Sequence, residues 1–329
     1  MTKWSNLFLF VIIASTITGL AACVKQGKSE SDFSKHPPII VGYAQLGSES
    51  AWRNANSDSV IQAAKKAKVR LIFKNAEGDQ QQQIKILHEF IIQHVDVIAF
   101  PPIIVSGWDS ILKEAKNAGI PVIISDRMVK IKDPTLYVST IGSNFKEEGE
   151  RTAKWLVNNT KKSNKKINIL ELEGLTGSAP AVDRKKGFAQ IISKHSNMKI
   201  IESVHGDFIR AKGKNLVSAA LKKYGRKINV IYAHNDEMAL GAMAAIEEYG
   251  LKPGKDILIL SIDGQKEALQ AIKTGKLNVS VECTPLLGPD IIKAAINLKS
   301  GKTIPRKMTP VEKIFTKENV AKELPYRKY

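Results

Sequence analysis

The stretch Ile120-Pro121-Val122-Ile123-Ile124-Ser125-Asp126-Arg127 constrains this chain most, because an apolar run of strand length leads directly into an adjacent acid and base. The pattern recurs. Ile231-Tyr232-Ala233 runs into His234-Asn235-Asp236, and residues 257–262 run into Asp263. Short, continuous apolar runs read as strands buried on both faces, the habit of parallel sheets. In open sheets of that kind ligands sit beyond the carboxyl ends of the strands. Carboxylate, guanidinium and carboxamide groups gathered there suit vicinal hydroxyls, because each presents planar donors or acceptors. Polar strand ends are the plainer explanation for any one of them, but three in the same context favour a site.

Between these runs the chain alternates strand and helix. The first half reads as strands at 39–43, 69–75, 95–100, 121–125 and 136–141, with helices beginning after Ser50 and spanning 80–94 and 108–118. Ser50 is a plausible N-cap, and Ile84, Leu87 and Ile91 share one helix face. The second half begins again: a helix at 144–157, a Lys-rich linker at 161–166, then strands at 167–172, 198–205, 229–233, 257–262 and 277–282 with helices between. Asp183 and Arg184 are expected to open the helix after the Gly174–Gly177 loop. That loop lacks both nucleotide-binding glycine spacings. Alternation of this kind predicts α/β architecture with doubly wound parallel sheets, and at roughly 150 residues per domain the body fits two lobes.

The N-terminus reads as an export signal over residues 1–22: Lys3, an apolar core at 7–13, and Leu20-Ala21-Ala22 before Cys23. Small residues before a cysteine resemble a bacterial lipobox, which makes Cys23 a lipidated anchor and residues 23–38 a polar tether; an uncleaved N-terminal anchor is the alternative. Cys283 is the one other cysteine, so no disulfide is expected within the exported body.

The formal charge of +18 raises the question of nucleic acid. The lysines are spread over helix surfaces and the 161–166 linker, so a solvated basic face is the reading adopted and no nucleic-acid partner is expected. The histidines show no metal-ligand spacing and read as surface or strand-end residues, and no metal or cofactor is expected. Trp52 and Arg53, in the first turn after Ser50, could stack on and hydrogen-bond a sugar ring; equally, Trp52 could simply cover the core.

Taken together, the motifs Gly47-Ser48-Glu49-Ser50-Ala51-Trp52-Arg53, Ser106-Gly107-Trp108, Ser125-Asp126-Arg127, Val182-Asp183-Arg184-Lys185-Lys186-Gly187-Phe188, Gly206-Asp207-Phe208, Ala233-His234-Asn235-Asp236 and Ser261-Ile262-Asp263-Gly264 resemble the sugar-binding proteins of bacterial ABC importers. Within that ribose- and galactose-type family they look like its galactofuranose branch. The resemblance implies two Rossmann-like lobes, joined by a three-crossing hinge, that close on one monosaccharide. It implies a first lobe mainly at 39–142, with 265–285 passing through the hinge, a second mainly at 143–282, and a further crossing with a terminal helix or strand in 283–329. It also implies a monomer partnered by a membrane permease and its ATPase. Asp126 and Arg127 would grip ring hydroxyls from one lobe, and Arg184, Asn235 and Asp263 from the other. Trp52 and Phe208 would pack on ring faces, Arg53 and the Ser48-Glu49-Ser50 loop would favour a furanose, and Glu282 would stand where relatives carry Gln.

Two rivals remain open. A sensor that presents its ligand to a signalling receptor would use the same fold. A glycoside hydrolase could draw a carboxylate pair from Asp126, Asp183, Asp236 and Asp263, although neighbouring arginines are expected to lower those pKa values and make poor general acids.

Overall fold

The computed structural model describes residues 38–161 and 165–329. The leader, Cys23 and the tether up to residue 37 lie outside the described residues, as do 162–164 of the Lys-rich linker. Among the described residues no helix is long and apolar enough to cross a membrane.

The first half runs β1 (Ile40–Gln45), α1 (Ala51–Lys66), β2 (Arg70–Asn75), α2 (Gln80–Ile92), β3 (Val97–Phe100), α3 (Asp109–Asn117), β4 (Val122–Ser125) and β5 (Ser139–Ile141). The second runs α4 (Phe145–Thr160), β6 (Ile167–Glu173), α5 (Ala179–Ile192), β7 (Met198–His205), α6 (Arg210–Tyr224), β8 (Val230–Ala233), α7 (Asp236–Glu248), β9 (Leu258–Asp263), α8 (Lys266–Lys273) and β10 (Val279–Glu282). The chain then adds α9 (Gly288–Lys299), β11 (Lys307–Met308), β12 (Ile314–Thr316) and α10 (Val320–Glu323).

Two six-stranded sheets result, in the orders β11-β5-β4-β3-β1-β2 and β12-β10-β9-β8-β6-β7. All pairings are parallel except the antiparallel β10–β12 pair. Each sheet carries an apolar layer on both faces, which is why central strands such as β3 and β8 are apolar throughout. The shared topology defines two lobes, and the described chain passes between them at residues 142–144, 283–287 and 309–313.

Local chemistry sets the element ends. Ser50 Oγ accepts from Arg53 N and caps α1, as its sequence position suggests, and Asn235 Oδ1 accepts from Met238 N at the start of α7. Two expectations need correction. Helix α5 begins at Ala179 rather than at Asp183, because Pro180 fits the first helical turn, where its missing N–H costs nothing. Residues 136–138 are not strand: Asp133 caps a 3-10 turn over Pro134–Leu136, which delays β5 to Ser139.

The boundary expectation also shifts. Residues 265–282 stay in the second lobe as α8 and β10, whereas α9 returns to the first lobe and packs beside α1 against Val41, Tyr43 and Ile123. Helices α4 and α5 cross tightly on the second lobe. A Cβ on Gly149 would lie 2.2 Å from the Arg184 carbonyl oxygen, and one on Gly187 would lie 2.0 Å from that of Lys146. Only glycine permits that approach, and it fixes where Arg184 emerges.

Candidate functional site: the cleft between the lobes

Because both sheets point their carboxyl ends at the hinge, their strand-end residues face one another across a single cleft. It is lined by Glu49, Ser50, Trp52, Arg53, Asp126 and Arg127 from the first lobe, and by Arg184, Phe208, Asn235 and Asp263 from the second. Phe145, Pro180 and Cys283 complete it. The lobes meet directly at its rim, where Val105 N donates to Gly177 O at 3.0 Å. Arg53, Arg127 and Arg184 are no more than 3% exposed, so the cleft is closed.

The charges form one cluster on each wall. Arg53 Nη2 lies 2.8 Å from Asp126 Oδ2 and its Nε 3.3 Å from Glu49 Oε1; Arg127 Nη2 stands 3.7 Å from that same Glu49 oxygen. On the opposite wall Arg184 donates through Nε to Glu148 Oε2 at 2.7 Å and through Nη1 to the His234 carbonyl at 2.6 Å, with Asp263 Oδ1 3.8 Å from Nη2. Guanidinium faces cover the aromatic rings, Arg53 over Trp52 at 4.7 Å and Arg127 over Phe208 at 5.4 Å. Trp52 also donates its indole N–H to Cys283 O at 2.6 Å.

Burial and pairing set the protonation states. Burial opposes charge on Glu49, but Arg53 and Arg127 outweigh it and hold that carboxyl below the usual range. Burial, reinforced by Arg53, pushes Arg127 down to about 10. The expectation that arginines lower the candidate carboxyls needs correction at Asp183, Asp236 and Asp263, all of which burial raises. At Asp263 burial raises the pKa well above the usual carboxylate value, and Arg184 at 3.8 Å is too far to reverse this, while Asp236 adds to it.

Backbone strain marks the same positions. Asp126, Phe208 and Asp263 have φ of 56°, 67° and 130°. Side-chain residues are uncommon in that half of conformational space, and such strain clusters where a ligand is held. Asp263 is braced from behind: the Tyr329 hydroxyl donates to its carbonyl, and Lys266 N donates to Tyr329 O.

Two expected site residues lie elsewhere. Ser48 is exposed, and Glu49 and Ser50 occupy the wall instead. Glu282 turns away from the cleft to pair with Arg327 at 2.6 Å and to accept from Lys313 N, because successive residues of a strand face opposite sides and the cleft side falls to Cys283. His234 is no surface residue. It is fully buried, burial keeps it neutral, its Nε2 meets Glu171 Oε1 at 3.2 Å and its Nδ1 accepts from Gly174 N. Asp236 lies beneath the site, accepting from Ser261 Oγ, Ser280 Oγ and Gln265 N.

The residues that sequence reasoning missed carried a usable signal. Cys283 follows the end of β10 and Phe145 opens α4, the kinds of position that supply the other lining residues.

Two lobes on a three-crossing hinge, closed on a pocket of arginines, carboxyl groups and aromatic faces, define an extracytoplasmic solute-binding architecture. A family model for the periplasmic binding protein domain matches residues 41–303, and the chain belongs to that family. It is 38% identical over 322 residues to the galactofuranose-binding protein YtfQ of Escherichia coli (strain K12), covering 97% of this chain and 96% of that protein. Among solved structures it resembles a Mycobacterium smegmatis protein in complex with β-D-fucofuranose, with a TM-score of 0.86 and 45% identity, over 88% of this chain and 95% of that one. It also resembles the binding component of the arabinose ABC transporter from Shewanella sp. ANA-3, bound to α- and β-L-arabinofuranose, with a TM-score of 0.85 and 41% identity, over 88% and 96% of the two chains.

Proposed function

We propose that this protein captures a monosaccharide in its furanose form, galactofuranose foremost, and delivers it to the membrane permease of an ABC importer. The observation that carries the reading is a set of buried polar atoms in the closed cleft. Glu49 Oε2, Arg53 Nη1 and Arg127 Nε have no protein partner. Unpaired buried donors and acceptors are costly. Sugar hydroxyls, each both donor and acceptor, would satisfy them.

In this reading Asp126, Arg127, Arg53, Glu49 and Ser50 hold the ring from the first lobe, and Arg184, Asn235 and Asp263 from the second. Trp52 and Phe208 lie against its faces. Proteins of known furanose ligands share this fold over most of their length, which favours the five-membered ring. Binding across both lobes would stabilise the closed form, and the permease would select that form. Lipidation of Cys23 would hold the protein at the membrane, and a Cys23→Ser variant released into the soluble fraction would support that anchor.

The test of function is a thermal-shift series with galactofuranose, galactose, arabinose and ribose. Saturation at a hundredfold excess over Kd stabilises by about 2.7 kcal/mol, a shift of several degrees. A shift with furanose-forming sugars is expected, and none with any sugar would overturn the reading. Stimulation of a reconstituted permease and ATPase by the loaded protein separates import from presentation to a signalling receptor.

A further inference from the structure

The three hinge crossings converge on one half-buried side chain that does not line the cleft. Glu312, on the third crossing, accepts through Oε1 from Ser143 Oγ of the first crossing at 2.6 Å and from Thr284 N of the second at 2.8 Å. Ser143 Oγ lies 3.4 Å from Cys283 Sγ, and the carbonyl of that same cysteine receives the Trp52 indole N–H. The thiol and the Glu148 and Glu312 carboxyl groups gather within 4.8 Å of one another. A single carboxyl group therefore bonds to both other crossings and stands beside the residues that shape the pocket.

We propose that Glu312 is a positioning residue of the binding cycle, a clasp that holds the three crossings in the arrangement of the closed cleft. The inference rests on the reading of the protein as a sugar-binding one that closes on its ligand.

The surroundings of the clasp make it sensitive to protonation. The groups facing Glu312 are Glu148 from α4, Cys283 and Glu282 from the second crossing and β10, and the Ser143 hydroxyl. The nearby cations are committed elsewhere, Arg184 to Glu148, Arg327 to Glu282 and Lys313 to Glu323. Burial, with Glu148 adding to it, pushes the Glu312 carboxyl up to about 8. A carboxyl whose pKa is raised on folding stabilises fully below its unfolded value, near 4.5, and that contribution is lost as pH rises through about 8. The neutral acid tolerates the neighbouring Glu148, whereas the carboxylate would repel it across the hinge.

The experiment compares the full-length protein with Glu312→Gln, whose carboxamide keeps the acceptor oxygen but cannot ionise, and with Ser143→Ala, which removes one of the two donors. Thermal midpoints without sugar and sugar affinities are measured from about pH 6 to about pH 9. The wild type should lose both stability and affinity, several-fold in Kd, toward the alkaline end. Glu312→Gln should match it at the acid end and hold its values where the wild type falls, and Ser143→Ala should bind more weakly throughout.

Equal pH dependence in the wild type and Glu312→Gln would overturn the clasp. A sugar-free midpoint that responds as described, in a protein that binds none of the sugars, would keep the clasp as a feature of the fold and refute both its link to ligand and the sugar reading.

Discussion

Trp52 of α1 and Cys283 of the second crossing are joined by an indole N–H to carbonyl hydrogen bond of 2.6 Å, which ties the first lobe's aromatic wall to the hinge. Trp52→Phe keeps an aromatic face, smaller than the indole, and removes this bond. The loss should cost about 1 kcal/mol or slightly more of stability, since the buried carbonyl is left without its donor. Sugar affinity should fall with it. Chemical denaturation and calorimetric titration of the same variant check both.

Arg184→Ala strands the buried Glu148, which it pairs at 2.7 Å, and removes the guanidinium beside Asp263. Breaking a buried ion pair by removing one member costs about 3–5 kcal/mol. The variant should be markedly less stable in urea and should show no sugar-dependent thermal shift. Unchanged affinity would place the ligand away from this wall.

Gly149→Ala tests whether the α4–α5 crossing sets the site at a distance. The added methyl would meet the Arg184 carbonyl at 2.2 Å, so the helices must separate. Overpacking of this kind costs about 1–3 kcal/mol. Binding should weaken even though residue 149 does not line the cleft. A crystal structure of the variant should show Arg184 displaced.

The buried carboxyl of Asp236 predicts an acid-side pH dependence. Burial raises its pKa to about 6, against the hydrogen bonds from Ser261, Gln265 and Ser280. The folded state therefore holds a proton that the unfolded chain has released. Its contribution is full below about pH 4 and is lost as pH rises through about 6. Asp236→Asn should be less stable by about 1–3 kcal/mol, because one acceptor becomes a donor facing Gln265 N, and it should lack this slope. Midpoints measured across that window decide it.

The strand-end positions were legible in the sequence because their signal is local. Asp126, Arg127, Asn235 and Asp263 each follow an apolar run, and the sheet delivers them to one place. What escaped detection depends on contacts far apart in the chain. Ser143 and Glu312 are separated by 169 positions and Arg184 and Glu148 by 36, and nothing in either neighbourhood announces the pairing. Glu282 enters the expected site through the resemblance alone, and local geometry takes it out. The pleat reverses side-chain direction at every residue, so Cys283 rather than Glu282 reaches the cleft.

The left-handed backbone at Asp126, Phe208 and Asp263 has an evolutionary consequence. At Asp126 and Asp263 glycine would relax the main chain, whereas Phe208 also packs into the core of the second lobe. Selection for a sturdier scaffold and selection for a gripping pocket therefore act in opposite directions on these two aspartates. A lineage released from the need to hold ligand would be expected to lose its side chains there first, while its sheets and hinge remained intact.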